Sequence, residues 1–119
     1  MRRRVLNLVT PTGDKAVAVL RQPRGFFGRA KGLLGKTSLD ESEGLLLPLC
    51  PAVHTSGMRI PIDVVFIRRG RVIRVVREMK PWRVAAAMAD TAVEIPAGRA
   101  ERAGLVPGAR VHFATAFKI

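Results

Sequence analysis

The fold of this chain is decided by residues 62–76, IDVVFIRRGRVIRVV, in which two apolar runs flank a short basic turn. Both runs are rich in Val, Ile or Phe, whose side chains pack well on the pleated surface of a sheet. Because only residues 68–70 separate the runs, and these include a glycine, the pattern predicts an antiparallel hairpin with strands over residues 62–67 and 71–76. This hairpin is expected to form the centre of the fold.

Asp63 is the only charged residue within the first of these strands. Alternation puts it on one face with Val65, while Ile62, Val64 and Phe66 lie on the other, so apolar side chains line both faces. A carboxylate that faces the core is costly unless it is paired or bonded to backbone amides. The expected partner is one of three basic side chains: Arg59, Arg83 or His54.

Weaker patterns on either side of this hairpin predict further short elements. Turn residues between the apolar runs 5–9 and 15–20 favour a second hairpin. The other predicted strands cover residues 43–49, 92–96 and 111–117, and the predicted helices lie within residues 25–35 and 97–104. Residues 82–90 fit either the beginning of a helix or a surface loop. These short elements predict a mainly β fold, a small single-domain β-barrel or sandwich with one or two short helices.

The length and composition of the chain are those of one compact domain. With 119 residues, 48% of them hydrophobic, a single domain over residues 1–119 is expected. One cysteine excludes an intramolecular disulfide and is typical of a reducing compartment, so a cytoplasmic protein is expected. The apolar runs are too short for a signal peptide or a transmembrane helix, and neither is expected.

The chain is strongly basic, since 21 Lys and Arg residues against nine Asp and Glu residues give a formal net charge of +12. Such an excess attracts polyanions, and the candidate contacts for nucleic acid or another polyanion are Arg68, Arg69, Arg71 and Arg74. With one Trp, five Phe and no Tyr, the chain offers few stacking platforms for bases. Polyanion binding would therefore be weak and nonspecific, and a solvated basic surface is the alternative.

Residues 50–66 hold the side chains best suited to chemistry. Cys50 and His54 are four residues apart, a spacing at which a thiol and an imidazole could share a metal or act as nucleophile and base. Met58 would add a thioether, a soft ligand suited to copper(I). The alternative is structural, because a lone cysteine and a methionine commonly pack in cores, and His54 and Thr55 can satisfy backbone groups.

The only tryptophan, Trp82, lies between two cations in the segment Lys80-Pro81-Trp82-Arg83. A surface tryptophan is a frequent binding anchor, whereas a buried one closes a small core. The sequence leaves both roles open for Trp82. His112 alternates with apolar neighbours in the last predicted strand, which predicts an exposed residue without a functional role.

Five segments of the chain, taken together, resemble the family called domain of unknown function 192. They are residues 30–37, 43–47, 50–66, 93–98 and 101–105, and their order and spacing extend over about residues 15–115. The resemblance implies a small, mostly β domain with short helices and no assigned activity. The family's central pattern falls on His54, Thr55, Met58, Pro61, Ile62, Asp63 and Phe66. The Trp, Lys and Asn that many members carry in this region are absent, so no role tied to them is carried over.

The sequence therefore locates a site better than it names a function, and it names no cofactor. The expected function is that of a small soluble binding or accessory domain for a small molecule or a protein. Its candidate ligand patch comprises Cys50, His54, Thr55, Met58, Asp63, Trp82 and Arg83. One alternative is a metal-binding or thiol-dependent enzyme that uses Cys50 and His54, with Met58 as a further metal ligand. The other is polyanion binding through the basic hairpin.

Overall fold

The computed structural model describes residues 4–11, 15–22, 43–48, 52–55 and 60–115 of the chain. Most of these residues lie in β-strands, as the sequence predicts. The strands are β1 (Arg4–Val9), β2 (Lys15–Gln22), β3 (Glu43–Pro48), β4 (Ala52–His54), β5 (Ile62–Arg68), β6 (Arg71–Met79), β7 (Val84–Ala86), β8 (Thr91–Pro96) and β9 (His112–Thr115), and one short helix is α1 (Arg99–Arg102).

Seven of the described strands form one sheet in the order β6-β5-β8-β3-β2-β1-β9, while β4 and β7 form a separate two-stranded ribbon. Strands β2 and β3 run parallel, and the other paired strands run antiparallel. The described strands are not closed into a barrel, because β6 and β9 are the two edges of the sheet. An isolated bridge between Arg71 and Arg110 brings the chain just before β9 beside the beginning of β6.

The hairpin predicted over residues 62–76 is confirmed and is formed by β5 and β6. Arg69 and Gly70 have positive φ angles of 51° and 73°, as the central residues of a type I′ turn require. Gly70 also lies close to the residue before β9, since a Cβ atom added at Gly70 would be 3.2 Å from the Val111 carbonyl oxygen. The turn therefore suits glycine both by its backbone conformation and by the space around it.

Strand β5 is buried on both faces, as the predicted alternation requires, with six consecutive buried residues. A first core cluster joins β5 and β8 to α1 and the segment after it, and its members include Val65, Ile67, Ile95, Ala100 and Leu105. A second cluster joins the other face of β5 to the ribbon, and its members include Ile62, Val64, Phe66, Val53 and Ala85. The helix thus covers one face of the sheet, and the β4–β7 ribbon covers the other.

The structure differs from the sequence-based prediction mainly in residues 82–90. They contain the strand β7, because pairing with β4 and burial of Ala85 stabilise an extended conformation that an alanine-rich run does not favour by itself. Strand β6 continues past Val76 to Met79, and the helix predicted within residues 97–104 is confined to Arg99–Arg102. The helix predicted within residues 25–35 lies outside the described residues. In the described part of the chain, no helix is long and apolar enough to cross a bilayer.

Candidate functional site

Four of the predicted site residues, His54, Thr55, Trp82 and Arg83, come together at the β4–β7 ribbon. His54 ends β4 and pairs with Val84 of β7. Because side chains alternate along both strands, one side of the ribbon packs on the sheet and the other faces solvent.

The outward side of this ribbon is mostly apolar. Its large side chains are strongly exposed: Trp82 by 68%, Val84 by 74% and Met88 by 79%. The intervening alanines 85, 87 and 89 pack in the core beneath. We call this surface the ribbon face and define it by its exposed residues, which are Ala52, His54, Trp82, Val84, Ala86 and Met88. Val84 and Met88 were not predicted from the sequence, although the recurrence of a larger apolar side chain next to alanine after Trp82 was the available signal.

Thr55 fixes the segment that carries Trp82. Its side chain is fully buried, and its Oγ1 donates to the Lys80 carbonyl oxygen at 2.7 Å and accepts from the Arg83 backbone N–H at 2.8 Å. The Thr55 backbone N–H donates to the Arg83 carbonyl oxygen at 2.9 Å, and the Trp82 N–H donates to the Thr55 carbonyl oxygen at 3.1 Å. One buried residue therefore holds the turn from Lys80 to Arg83 at both ends.

Trp82 occupies an unfavourable backbone conformation at this turn. Its φ angle is 64°, in the left-handed region, where a residue other than glycine loses roughly 1–2 kcal/mol through contact of its Cβ with the backbone. The indole is exposed and does not close the core, whereas the binding-anchor role that the sequence also allowed stays a prediction. The hydrogen bonds of Thr55 stabilise a conformation that a tryptophan does not adopt by preference.

Exposed cations border the ribbon face. Lys80 and Arg83 lie in the turn that Thr55 holds, and the Arg83 Nη1 donates to the Trp82 carbonyl oxygen at 3.3 Å. Arg74 of β6 reaches the ribbon from the side and donates to the Ala86 carbonyl oxygen. The four arginines of the predicted polyanion patch are all exposed but do not form one group. Three lie at the β5–β6 turn, namely Arg68, Arg69 and Arg71, whereas Arg74 belongs to the border of the ribbon face.

Asp63 lies on the opposite side of β5 from the ribbon. Its side chain is fully buried, and its Oδ1 accepts from the Glu78 N–H at 2.8 Å. Its Oδ2 accepts from the N–H groups of Gly98 and Ala100, both at 3.0 Å, where α1 begins. The prediction that Arg83 or His54 would pair with Asp63 is therefore wrong, because backbone amides hold the carboxylate. The third predicted partner, Arg59, lies outside the described residues. This geometry gives Asp63 a structural role.

The two alternatives that depend on Cys50, a metal site and a thiol-dependent enzyme, stay predictions. Cys50 and Met58 lie outside the described residues, and His54 is exposed at the end of β4. In the part of the chain that the structure describes, no group of three or more His, Cys, Asp or Glu side chains could hold a metal ion. His112 is exposed in β9, as predicted.

Glu94 is a buried carboxylate that the sequence analysis did not single out. Its side chain is 4% exposed, and its strand neighbours Leu45 and Val64 belong to the core cluster beneath the ribbon. Burial raises the pKa of Glu94 from 4.5 to about 7, because the charged form is poorly solvated there. The sequence did contain a signal for it, because Glu94 is the only charged residue in the apolar run 92–95, as Asp63 is in the run 62–67.

Comparison with known proteins gives a family but no activity. The family model of domain of unknown function 192 (DUF192), described as "Uncharacterized ACR", matches residues 8–113. No curated protein matches the chain. A solved structure of a protein of unknown function from Novosphingobium aromaticivorans is similar, with 25% identity, a TM-score of 0.73, and coverage of 92% of this chain and 84% of that one. A "putative transcription regulator" from Sinorhizobium meliloti has a TM-score of 0.79 over 94% of each chain, and at 19% identity this likeness shows the fold alone.

We expect Asp63→Asn to lower the free energy of unfolding by about 2–4 kcal/mol, because an amide has one acceptor oxygen and cannot serve backbone donors on both sides. Urea denaturation measures the change. Asp90→Asn is the matched control, because Asp90 also accepts two bonds, from the Arg69 N–H at 2.8 Å and from the Thr91 hydroxyl at 3.0 Å, but is exposed, so that water can replace a lost bond. The control should lose less than about 1 kcal/mol. Equal losses at the two positions would contradict the structural role of Asp63.

The raised pKa of Glu94 predicts a pH-dependent contribution to stability. Because the folded state holds this proton more tightly than the unfolded state, the contribution is full below about pH 4.5 and is lost as the pH rises through about 7. The difference in pKa corresponds to about 3 kcal/mol. We expect urea denaturation between pH 4.5 and 8 to show this loss in the wild type but not in Glu94→Gln. Glu101→Gln changes an exposed glutamate, and its free energy of unfolding should depend on pH as that of the wild type does. If the free energy of unfolding of Glu94→Gln shows the same pH dependence, the raised pKa does not belong to Glu94.

Proposed function

Since the chain belongs to the domain of unknown function 192 family, which is uncharacterised, we propose from its own surface that it is a soluble, cytoplasmic binding domain whose partner contacts the ribbon face. In this proposal Trp82 is the anchor, Val84 and Met88 extend the apolar contact, and Arg83 supplies charge. The partner contact thus involves three of the residues predicted from the sequence, namely His54, Trp82 and Arg83. Thr55 acts beneath them as a positioning residue.

The observation that carries the proposal is the conformation of Trp82. A large aromatic side chain gains free energy from burial, yet this one is 68% exposed and also has a φ angle of 64°. Backbone strain of this kind persists where the surroundings determine the conformation, and it occurs preferentially at functional sites. Within the described chain Trp82 keeps most of its surface exposed, whereas contact with a partner would bury the indole.

The neighbours of Trp82 support a contact surface rather than a single exposed residue. Isolated exposed hydrophobic side chains are common on proteins and need no explanation. Here Val84 lies in β7, Trp82 lies two residues before it and Met88 four residues after it, with the small exposed side chain of Ala86 between the last two. An aromatic residue with aliphatic neighbours and a flanking arginine is a composition typical of interface centres.

Polyanion binding by the β5–β6 turn is a second candidate. Arg68, Arg69 and Arg71 are exposed at this turn, and the bridge to Arg71 brings the exposed Arg110 beside them. Four exposed arginines in one region would attract the phosphate groups of a nucleic acid whatever its base sequence. Binding at this turn would fall steeply with salt concentration and would not depend on Trp82.

Site-specific photo-crosslinking tests the main proposal. A benzophenone amino acid at position 84, in the centre of the ribbon face, should form a covalent adduct in cells that express the protein. Position 106 is the control, because Val106 is also an exposed valine, at 43%, but lies after α1. Loss of the added mass on nuclease or lipase treatment identifies a nucleic-acid or lipid adduct, and peptides of a second chain in a tryptic digest identify a protein adduct. Equal adducts at both positions, or none at position 84, would show that the ribbon face is not the contact surface.

Trp82→Gly separates the anchor role from folding. Glycine adopts a positive φ angle freely, so we expect the free energy of unfolding to stay the same or to rise by up to about 1 kcal/mol. The adduct at position 84 should nevertheless be lost. Trp82→Ala is the matched variant, because it removes the indole but keeps the backbone strain. A clear loss of stability in Trp82→Gly would mean that the indole stabilises the fold and would count against its role as an anchor.

A further inference from the structure

The described surface around the ribbon face is basic. Residues 60–115 contain ten Lys and Arg residues against five Asp and Glu residues, and two of these acids, Asp63 and Glu94, are buried. The exposed acids of this region are Glu78, Asp90 and Glu101. Asp90 accepts from the Arg69 N–H and the Thr91 hydroxyl, and Glu101 pairs with Arg77 at 3.4 Å. The charge left to attract a partner is therefore positive.

The cations closest to the ribbon face are placed at its border rather than within it. Lys80 and Arg83 lie on either side of Trp82 in the chain, and Arg74 is bonded to the ribbon at Ala86. The large exposed apolar residues of the ribbon face are Val84 in β7, with Trp82 before it and Met88 after it. A partner that matches this surface has an apolar layer for Trp82, Val84 and Met88, and negative charges beside that layer.

A bilayer with anionic headgroups has both properties. Tryptophan favours the boundary between headgroups and acyl chains, and exposed aliphatic side chains gain from entering the same boundary. Basic residues beside the inserted side chains are attracted to acidic phospholipid. Nucleic acid matches the ribbon face less well, because Val84 and Met88 offer no planar surface on which bases could stack.

We propose that the ribbon face docks on the surface of a bilayer that contains anionic phospholipid, with Trp82, Val84 and Met88 at the acyl-chain boundary and Lys80, Arg83 and Arg74 among the headgroups. This inference rests on the proposed function, since it names the partner of the same surface. The contact is peripheral and reversible. Its strength depends on the fraction of acidic lipid and on salt concentration.

Trp82 reports directly on this contact, because the chain has one Trp and no Tyr. Titration with vesicles of equimolar phosphatidylcholine and phosphatidylglycerol should move the Trp82 emission to shorter wavelength, and brominated acyl chains should quench it. Vesicles of phosphatidylcholine alone should have little effect. Raising NaCl from about 0.05 to about 0.5 M should weaken binding by about tenfold or more.

Matched variants locate the contact on the ribbon face. Val84→Ser should lower vesicle affinity on the order of tenfold, and Lys80→Gln or Arg83→Gln by about fivefold each. Val106→Ser and Arg77→Gln are the controls, because Val106 follows α1 and Arg77 pairs with Glu101 of α1, on the helix side of the sheet. Both controls should bind as the wild type does. If Val84→Ser or Arg83→Gln also binds as the wild type does, the net charge attracts the vesicles and the docking proposal is wrong.

The failure of this inference is distinguishable from the failure of the proposed function. No change in Trp82 emission with anionic vesicles, together with a protein or nucleic-acid adduct at position 84, would overturn the membrane proposal and leave the binding domain intact. Quenching of Trp82 by a single-stranded oligonucleotide without any response to vesicles would assign the ribbon face to nucleic acid and would likewise overturn it. If neither an adduct at position 84 nor a response to vesicles is observed, both the membrane proposal and the proposed function are wrong.

Discussion

The carboxylate of Asp63 is the contact on which the arrangement of the other elements depends. It accepts backbone N–H groups from Glu78 in β6 and from Gly98 and Ala100 at the beginning of α1. The register of β5 and β6 shifts between Ile62 and Val64, and Glu78, in the shifted part of β6, has a φ angle of 50°. By accepting these three donors inside the core, one side chain joins the end of the hairpin to the helix that covers the sheet.

The two carboxylates that are buried in the described part of the chain lie on opposite faces of the sheet, and a different effect offsets the cost of burial in each. Asp63, on the helix side, is stabilised by three amide hydrogen bonds. Glu94 lies in the layer beneath the ribbon, where burial raises its pKa to about 7 and favours the protonated form. Asp63, which the sequence placed in the candidate ligand patch, therefore has a structural role. The titratable group with altered behaviour lies instead under the surface that carries Trp82.

The sequence predicted those parts of the fold in which local preference and tertiary packing agree. Residues 62–76 form the expected hairpin because β-branched residues and a glycine-containing turn favour the same conformation that the core requires. Residues 82–90 did not reveal β7, since its strand conformation depends on β4, which no local pattern indicates. The partners of Asp63 were equally hidden, because backbone donors come together only after β6 shifts its register and α1 docks. Of the exposed residues that define the ribbon face, the sequence had singled out His54 and Trp82, but not Val84 and Met88.

Three described residues other than glycine have positive φ angles, and comparison among them isolates Trp82. Each donates its N–H to a specific acceptor: Arg69 to Asp90, Glu78 to Asp63, and Trp82 to the carbonyl oxygen of Thr55. Arg69 closes the two-residue turn of the hairpin, and Glu78 carries the amide that Asp63 holds, so both conformations follow from the fold. For Trp82 the fold supplies the restraint through Thr55 but gives no reason for an indole, since a glycine would satisfy the same hydrogen bonds at lower cost. Because nothing in the described part of the chain requires an indole at this position, the proposed function rests on the ribbon face rather than on the buried carboxylates.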